Sequence, residues 1–291
     1  MNPIQRVGSK TMGEPEVGCR QSLPQGIARS ILCRAGRRWP SLAARYRAMR
    51  RIAWFLGEIP VSHYRQVRKL TCLLCAFRHT QVGYARLSNV YELAQEAERA
   101  GLPGCFVECG VWKGGCAAVM GMIAATAGSR RLIWLFDSFE GMPAATKEDG
   151  EAAREITDRF DGSLVPVGSN VASLAEVQHY FFDRLKLNPA RVVFRPGWFQ
   201  NTLPASRQEV GPIALLRLDG DWYESTRCCL EELYDQLVVG GYLIIDDYGH
   251  FPGCRKAVNE FFETRGLRPR WVPIDYTGVY AQKVGEDRIG S

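Results

Sequence analysis

The stretch "FVECGVWKGG" (Phe106–Gly115) decides how the rest of the chain is read. Its first half, with Cys105 before it, makes Cys105–Cys109 a short apolar run, the mark of a buried strand. Gly110 then opens a turn, and Gly114 and Gly115 lead into the apolar, helix-like run Cys116–Ala127. Strand, glycine turn and helix form the opening unit of a parallel α/β sheet. Further strands are expected at Arg131–Phe136, Arg191–Arg195, Ile213–Leu218 and Tyr242–Ile245. Helices are expected from a Ser88 cap to about Ala100, ended by Gly101-Leu-Pro-Gly104, and at Thr226–Leu237 and Cys254–Arg265. Leu267–Ile274 and Gly278–Lys283 read as a final antiparallel hairpin. Apolar strands alternating with helices predict a doubly wound α/β sheet covered on both faces. The polar stretch "GMPAATKEDGEAARE" (Gly141–Glu155) is long for a plain connection, so a lid is expected within 138–190.

Two parts of the chain differ in charge. Residues 1–80 hold 15 Lys/Arg against 3 Asp/Glu, whereas the other 211 hold 22 against 28. Residues 1–77 therefore read as a basic N-terminal extension, partly disordered and partly helical with a break at Pro60, and 78–291 as the functional domain. A basic arm can meet anionic lipid, nucleic acid or an acidic partner, but solvated arginines are the plainer reading. We expect no nucleic-acid partner and leave membrane-surface contact and homo-oligomerisation open. No apolar run approaches the roughly 20 residues of a membrane span, and the first thirty residues lack the apolar core of a secretory signal. The ten cysteines have no disulfide or zinc spacing, and Cys72-Leu-Leu-Cys75 reads as a helix face. A reducing, cytoplasmic location is expected.

The chemistry concentrates at strand ends. Glu108, Asp137, Asp219, Asp246 and Asp247 all end apolar runs, and ligands of such sheets collect at the carboxyl ends of the strands. Carboxylates there call for a cationic ligand, a hydroxyl-rich ligand, a metal, or all three. Gly110, Gly114 and Gly115 allow close backbone approach. The spacing is not GxGxxG, and Glu108 would repel a pyrophosphate, which argues against a nicotinamide oxidoreductase. Asp137 stands where nucleoside-binding folds place the acid for ribose hydroxyls, with Ser138 beside it. Asp219 and Asp221 flank Gly220, so the two carboxylates can face different tasks.

Five segments, "FVECGVWKGG", "IWLFDSFEGMP", "GWFQNTLP", "LRLDGDWYEST" and "GGYLIIDDYG", occur in the order found in the macrocin O-methyltransferase family, and residues 78–285 resemble that family. The resemblance implies a Rossmann-like methyltransferase sheet that uses S-adenosylmethionine and Mg²⁺ to methylate sugar hydroxyls of glycosylated natural products. It implies that Glu108 and the Gly110–Gly115 turn hold the methionine end of the cofactor, that Asp137 holds the ribose, that Asp219, Asp246 and Asp247 bind the metal, and that Asp221 is the general base. Cys116 stands where the family usually has serine, and His250-Phe251 departs from the usual aromatic pattern beside the acceptor. The other acceptors considered are a lipid-linked glycan and a catechol, each of which carries a vicinal diol. His179 reads as a half-buried structural histidine. Trp198, Phe199, Trp222 and Tyr223 are divided between pocket and core.

Overall fold

The structure is a computed structural model that describes residues 40–285. The chain divides into two units, Met1–Trp54 and Phe55–Ser291. The first contributes, among its described residues, most of helix α1 (Pro40–Gly57). The rest of the expected basic extension, residues 1–39, lies outside the described residues. The second unit holds everything below. It includes helix α2 (Val67–Phe77), which packs against α3 (Tyr84–Arg99) and α4 (Gly115–Thr126). Residues 55–77, grouped by sequence with the extension, thus share one compact unit with the body. The amphipathic face of α2 accounts for this by burying Leu73, Ala76 and Phe77.

Seven strands form one sheet in the order β3-β2-β1-β4-β5-β7-β6. They are β1 (Cys105–Cys109), β2 (Ile133–Asp137), β3 (Val192–Pro196), β4 (Ile213–Leu218), β5 (Leu237–Ile245), β6 (Val272–Pro273) and β7 (Val279–Gln282). The first five pair in parallel, and the hairpin β6–β7 adds antiparallel to β5. All six residues of β4 are buried, as a central parallel strand requires. Strand order reverses between β1 and β4. Helices α2 to α4 pack as one group, and α6 (Phe199–Val210), α7 (Tyr223–Leu233) and α8 (Pro252–Thr264) as another, so the sheet is doubly wound. The ends of β1 and β4 meet at the topological switch point, where this architecture forms its ligand crevice.

Several local expectations are corrected. Helix α3 begins at Tyr84 behind the extended N-cap Gly83, and Ser88 lies buried inside it with its hydroxyl directed to Glu92. Helix α6 has no counterpart in the sequence reading, because Pro204 inside it reads as a breaker. Strand β5 begins five residues earlier than Tyr242, across Gly240 and Gly241. The segment 138–190 is not a detached flap. Ala145, Asp149 and Ala153 are fully buried. Asp149 caps its own turn, and its Oδ1 accepts from the Tyr223 amide at 2.7 Å, which pins the segment to the start of α7. Short helix α5 (Leu174–Gln178) continues through a wider turn, His179–Arg184. All eight cysteines among the described residues are free thiols. No helix among those residues is long and apolar enough to cross a membrane.

Candidate active site

A cavity of about 450 Å³ opens at the switch point. Glu108, Gly110, Asp137, Ser138, Asp219, Asp221, Asp246 and Asp247 all line it, whereas Gly114 and Gly115 do not. The glycines are explained first by the chain itself. A Cβ on Gly110 would lie 1.8 Å from the Asp219 carbonyl oxygen, so this glycine lets the ends of β1 and β4 close on each other. A Cβ on Gly115 would lie 2.7 Å from the His79 carbonyl oxygen, which accepts the Gly115 amide at the same distance.

Asp137 is largely committed to the turn. Its Oδ2 accepts from the amides of Val111 and Trp112 at 2.7 and 2.9 Å, and its Oδ1 from Phe139 at 2.7 Å. Four acceptor positions less three bonds leave one on Oδ1 for a ligand hydroxyl. Burial raises the Asp137 pKa and these amides pull it back. The Ser138 hydroxyl donates to the Gly141 carbonyl and accepts from the Glu140 and Gly141 amides, so it shapes the loop.

Beneath the acidic cluster lies Arg217, read in sequence only as part of an apolar run. It is 1% exposed. Its Nη1 donates to Glu108 Oε1 at 2.7 Å and Asp219 Oδ2 at 2.9 Å, and its Nη2 to Asp246 Oδ1 at 2.5 Å. The other Asp246 oxygen is taken by Arg86 of α3, which also pairs with Asp275 at 3.0 Å. Burial works against the Arg217 charge, but the acids around it, Asp246 foremost, raise its pKa well above the ordinary value. Glu108 Oε2 accepts from the Ala117 amide at 2.8 Å, which leaves both carboxylate oxygens engaged. Burial holds its carboxyl above the usual range, and Arg217 pulls against that.

The structure therefore divides the predicted acids into two sets. Asp246, expected among the metal ligands, has both oxygens on arginines. The residues brought together are Asp219, Asp221 and Asp247, each offering an oxygen within 4.8 Å of the others. Among the described residues, Asp247 Oδ2 is buried with no hydrogen-bond partner. Burial raises all three pKa values, and repulsion from neighbouring acids adds to the shift. Buried oxygens pressed together with too few donors are a donor set for a hard divalent cation. Asp221 has φ +55°, a left-handed conformation that costs a non-glycine residue about 1–2 kcal/mol. The tight turn at Gly220 aims it into the cavity.

The rim is partly aromatic. Trp198 and Phe199 are half-buried in the lining, while His250 and Tyr276 are exposed there, with ring centres 6.3 Å apart. Trp222 belongs to the core, its indole N–H donating to the Pro143 carbonyl at 3.0 Å. Tyr223 points away to Glu260. His179 is exposed rather than half-buried and pairs with Asp183. Arg86 and Arg217 are what sequence reasoning missed. The one signal for Arg217 was a charge inside a run that otherwise reads as a buried strand.

Residues 59–283 match the family described as Macrocin-O-methyltransferase (TylF). The chain is 39% identical over 203 residues to mycinamicin III 3''-O-methyltransferase of Micromonospora griseorubida, a match covering 69% of this chain and 77% of that one. It is 38% identical over 203 residues to the 8-demethyl-8-(2,3-dimethoxy-alpha-L-rhamnosyl)-tetracenomycin-C 4'-O-methyltransferase of Streptomyces olivaceus, covering 69% and 74%. Among solved structures, the O-methyltransferase NovP superposes with a TM-score of 0.63 at 36% identity, covering 71% of this chain and 83% of that one. A doubly wound sheet of this order, an acidic crevice at its switch point and a match across most of the second unit have one reading: the chain belongs to the macrocin O-methyltransferase family.

Proposed function

We propose that this methyltransferase moves the methyl group of S-adenosylmethionine to a sugar hydroxyl of a glycosylated natural product, with Mg²⁺ held by Asp219, Asp221 and Asp247. The observation that carries the reading is that trio of under-satisfied carboxylates in the cavity of the glycine turn. The rhamnosyl-bearing compound in one relative's name supports a glycosylated acceptor. The eight cysteines among the described residues are free thiols, which supports a cytoplasmic location, where thiols stay reduced.

When bound, the metal would supply a positive charge that lowers the pKa of the acceptor hydroxyl and orients it. The remaining work falls to the chain. When bound, S-adenosylmethionine would supply its methyl group to the acceptor oxygen and leave as a neutral thioether, with the hydroxyl proton passing to the chain. Asp221, which lines the same cavity, takes the hydroxyl proton. Arg217 steadies Asp219 from beneath and keeps Glu108 and Asp246 compensated. Glu108 lines the cofactor end of the cavity, the free acceptor position of Asp137 receives one ribose hydroxyl, and Ser138 acts by fixing that loop. Asp246 serves through its arginines, as the support on which Asp247 stands.

The test begins with calorimetric titration of S-adenosylhomocysteine, with NADH as control. Micromolar binding of the first alone, roughly −8 kcal/mol, followed by EDTA-sensitive methylation in a screen of glycosylated acceptors, is the expected result. Binding of NADH instead, or of neither by folded protein, would overturn it.

A further inference from the structure

A second cavity, of about 360 Å³, shares its wall with the first. Arg78 and His79 line the second and Thr80 the first, while Lys113 lines the second and Trp112 the first. The wall is well held. The His79 ring stacks on Tyr180 at 3.5 Å and 8°, the Tyr180 hydroxyl donates to the Cys75 carbonyl at 3.0 Å, and the His79 carbonyl accepts the Gly115 amide. The charge of this cavity is opposite to that of the first. Arg78, Lys113 and Arg184 line it and form no ion pair among the described residues. Its one carboxylate, Glu176, holds Ser173 through Oε2 in a capping box and also feels the Lys113 charge, so the three cations outnumber it. His179, also in the lining, is held by Asp183. Burial and the three neighbouring cations lower the His79 pKa.

Three cations and one carboxylate line this concave space, which leaves it with a net positive charge. Two are planar guanidinium forks, whose donors match the oxygens of a phosphate better than a point charge does. We propose that this cavity is an oxyanion site that takes the phosphate group of a phosphate monoester or of inorganic phosphate. Carboxylates fit less well, since one planar pair of oxygens cannot meet three separated donors. The inference is independent of the methyl acceptor and of the metal.

The chain's four histidines provide the readout. His79 and His179 line the second cavity, His250 lines the first, and His63 bonds Tyr84 away from both. Inorganic phosphate and phenyl phosphate would each be titrated at constant ionic strength while the four imidazole resonances are followed by NMR. The expected result is a saturable shift of His79 and His179 with His63 and His250 unmoved. The double variant Lys113→Gln/Arg184→Gln should weaken the midpoint about tenfold or more, the loss of charge-assisted bonds worth about 1.4 kcal/mol or more. Tighter phenyl phosphate would assign an organic monoester, and equal midpoints the free anion. Shifts shared by all four histidines, no saturation, or an unchanged midpoint in the double variant would overturn the proposal.

Discussion

Asp246 directly precedes Asp247 at the end of β5, and Glu108 of β1 stands in register with Arg217 of β4, two residues before Asp219, yet the two sets live in opposite electrostatic worlds. On the sheet side of the crevice every carboxylate oxygen of Glu108 and Asp246 meets a donor, supplied by Arg217, Arg86 and the Ala117 amide. On the cavity side Asp221 and Asp247 form no ion pair among the described residues, and Asp247 keeps a buried bare oxygen there. Both sets are costly to bury, but the chain completes only one of them. A fold that balances half of its acidic cluster internally has left the other half for a ligand's charge. Residue type alone is a poor guide to such a site, and the partner of each oxygen tells the halves apart.

The hardest blow to this division is Arg217→Leu. It leaves buried Glu108 without a cation and takes one of two arginines from Asp246, and breaking a buried pair costs about 3–5 kcal/mol. Urea denaturation should show a loss of that size, and a loss under 1 kcal/mol would mean the sheet-side acids do not depend on this arginine. Next comes Asp221→Asn, which removes the proposed proton acceptor while keeping shape. Turnover should fall about a hundredfold or more, with S-adenosylhomocysteine affinity unchanged by calorimetry. Retained turnover would assign the proton to another group.

A smaller effect tests the open half by pH. Burial and mutual repulsion raise the pKa values of Asp219, Asp221 and Asp247 above those of the unfolded chain. Stability from their protonated forms is therefore complete below the usual carboxylate range, about pH 4, and is lost as pH rises through the raised values. The metal-free protein should lose Tm as pH rises through that window, and Asp247→Asn should flatten the slope. Mg²⁺ competes with protons for the same oxygens, so it should raise Tm more at pH 8 than at pH 6. A Mg²⁺ shift that ignores pH or survives Asp247→Asn would place the ion elsewhere. The smallest effect is expected at the rim. His250→Ala should raise the acceptor KM a few-fold, about 1 kcal/mol for one exposed contact, with kcat nearly intact.

Much of this architecture was legible in the sequence. Strands β1 and β4 have the bounds expected, and β2 was found within two residues, because buried parallel strands are nearly unbroken apolar runs. Elements that break local rules were not legible. Pro204 hid α6, and Gly240-Gly241 hid the first half of β5, which pairs across a register shift. In the site, the acidic strand ends announced themselves by position. Their division did not, since Arg86 and Asp246 stand 160 residues apart and only the folded sheet brings them together. Helix α3 gained its position in the site for the same reason, since no local pattern marks Arg86 as a charge facing inward.

The pinning of segment 138–190 by Asp149 has a consequence for how a ligand is received. A flap that must fold over its guest spends conformational entropy at that moment and buries new apolar surface. Here Ala145 and Ala153 are in the core before any ligand arrives, so the receptor is largely pre-assembled. Cofactor association should carry only a small change in heat capacity, and a protease should cut this segment at nearly the same rate with the cofactor bound as without it.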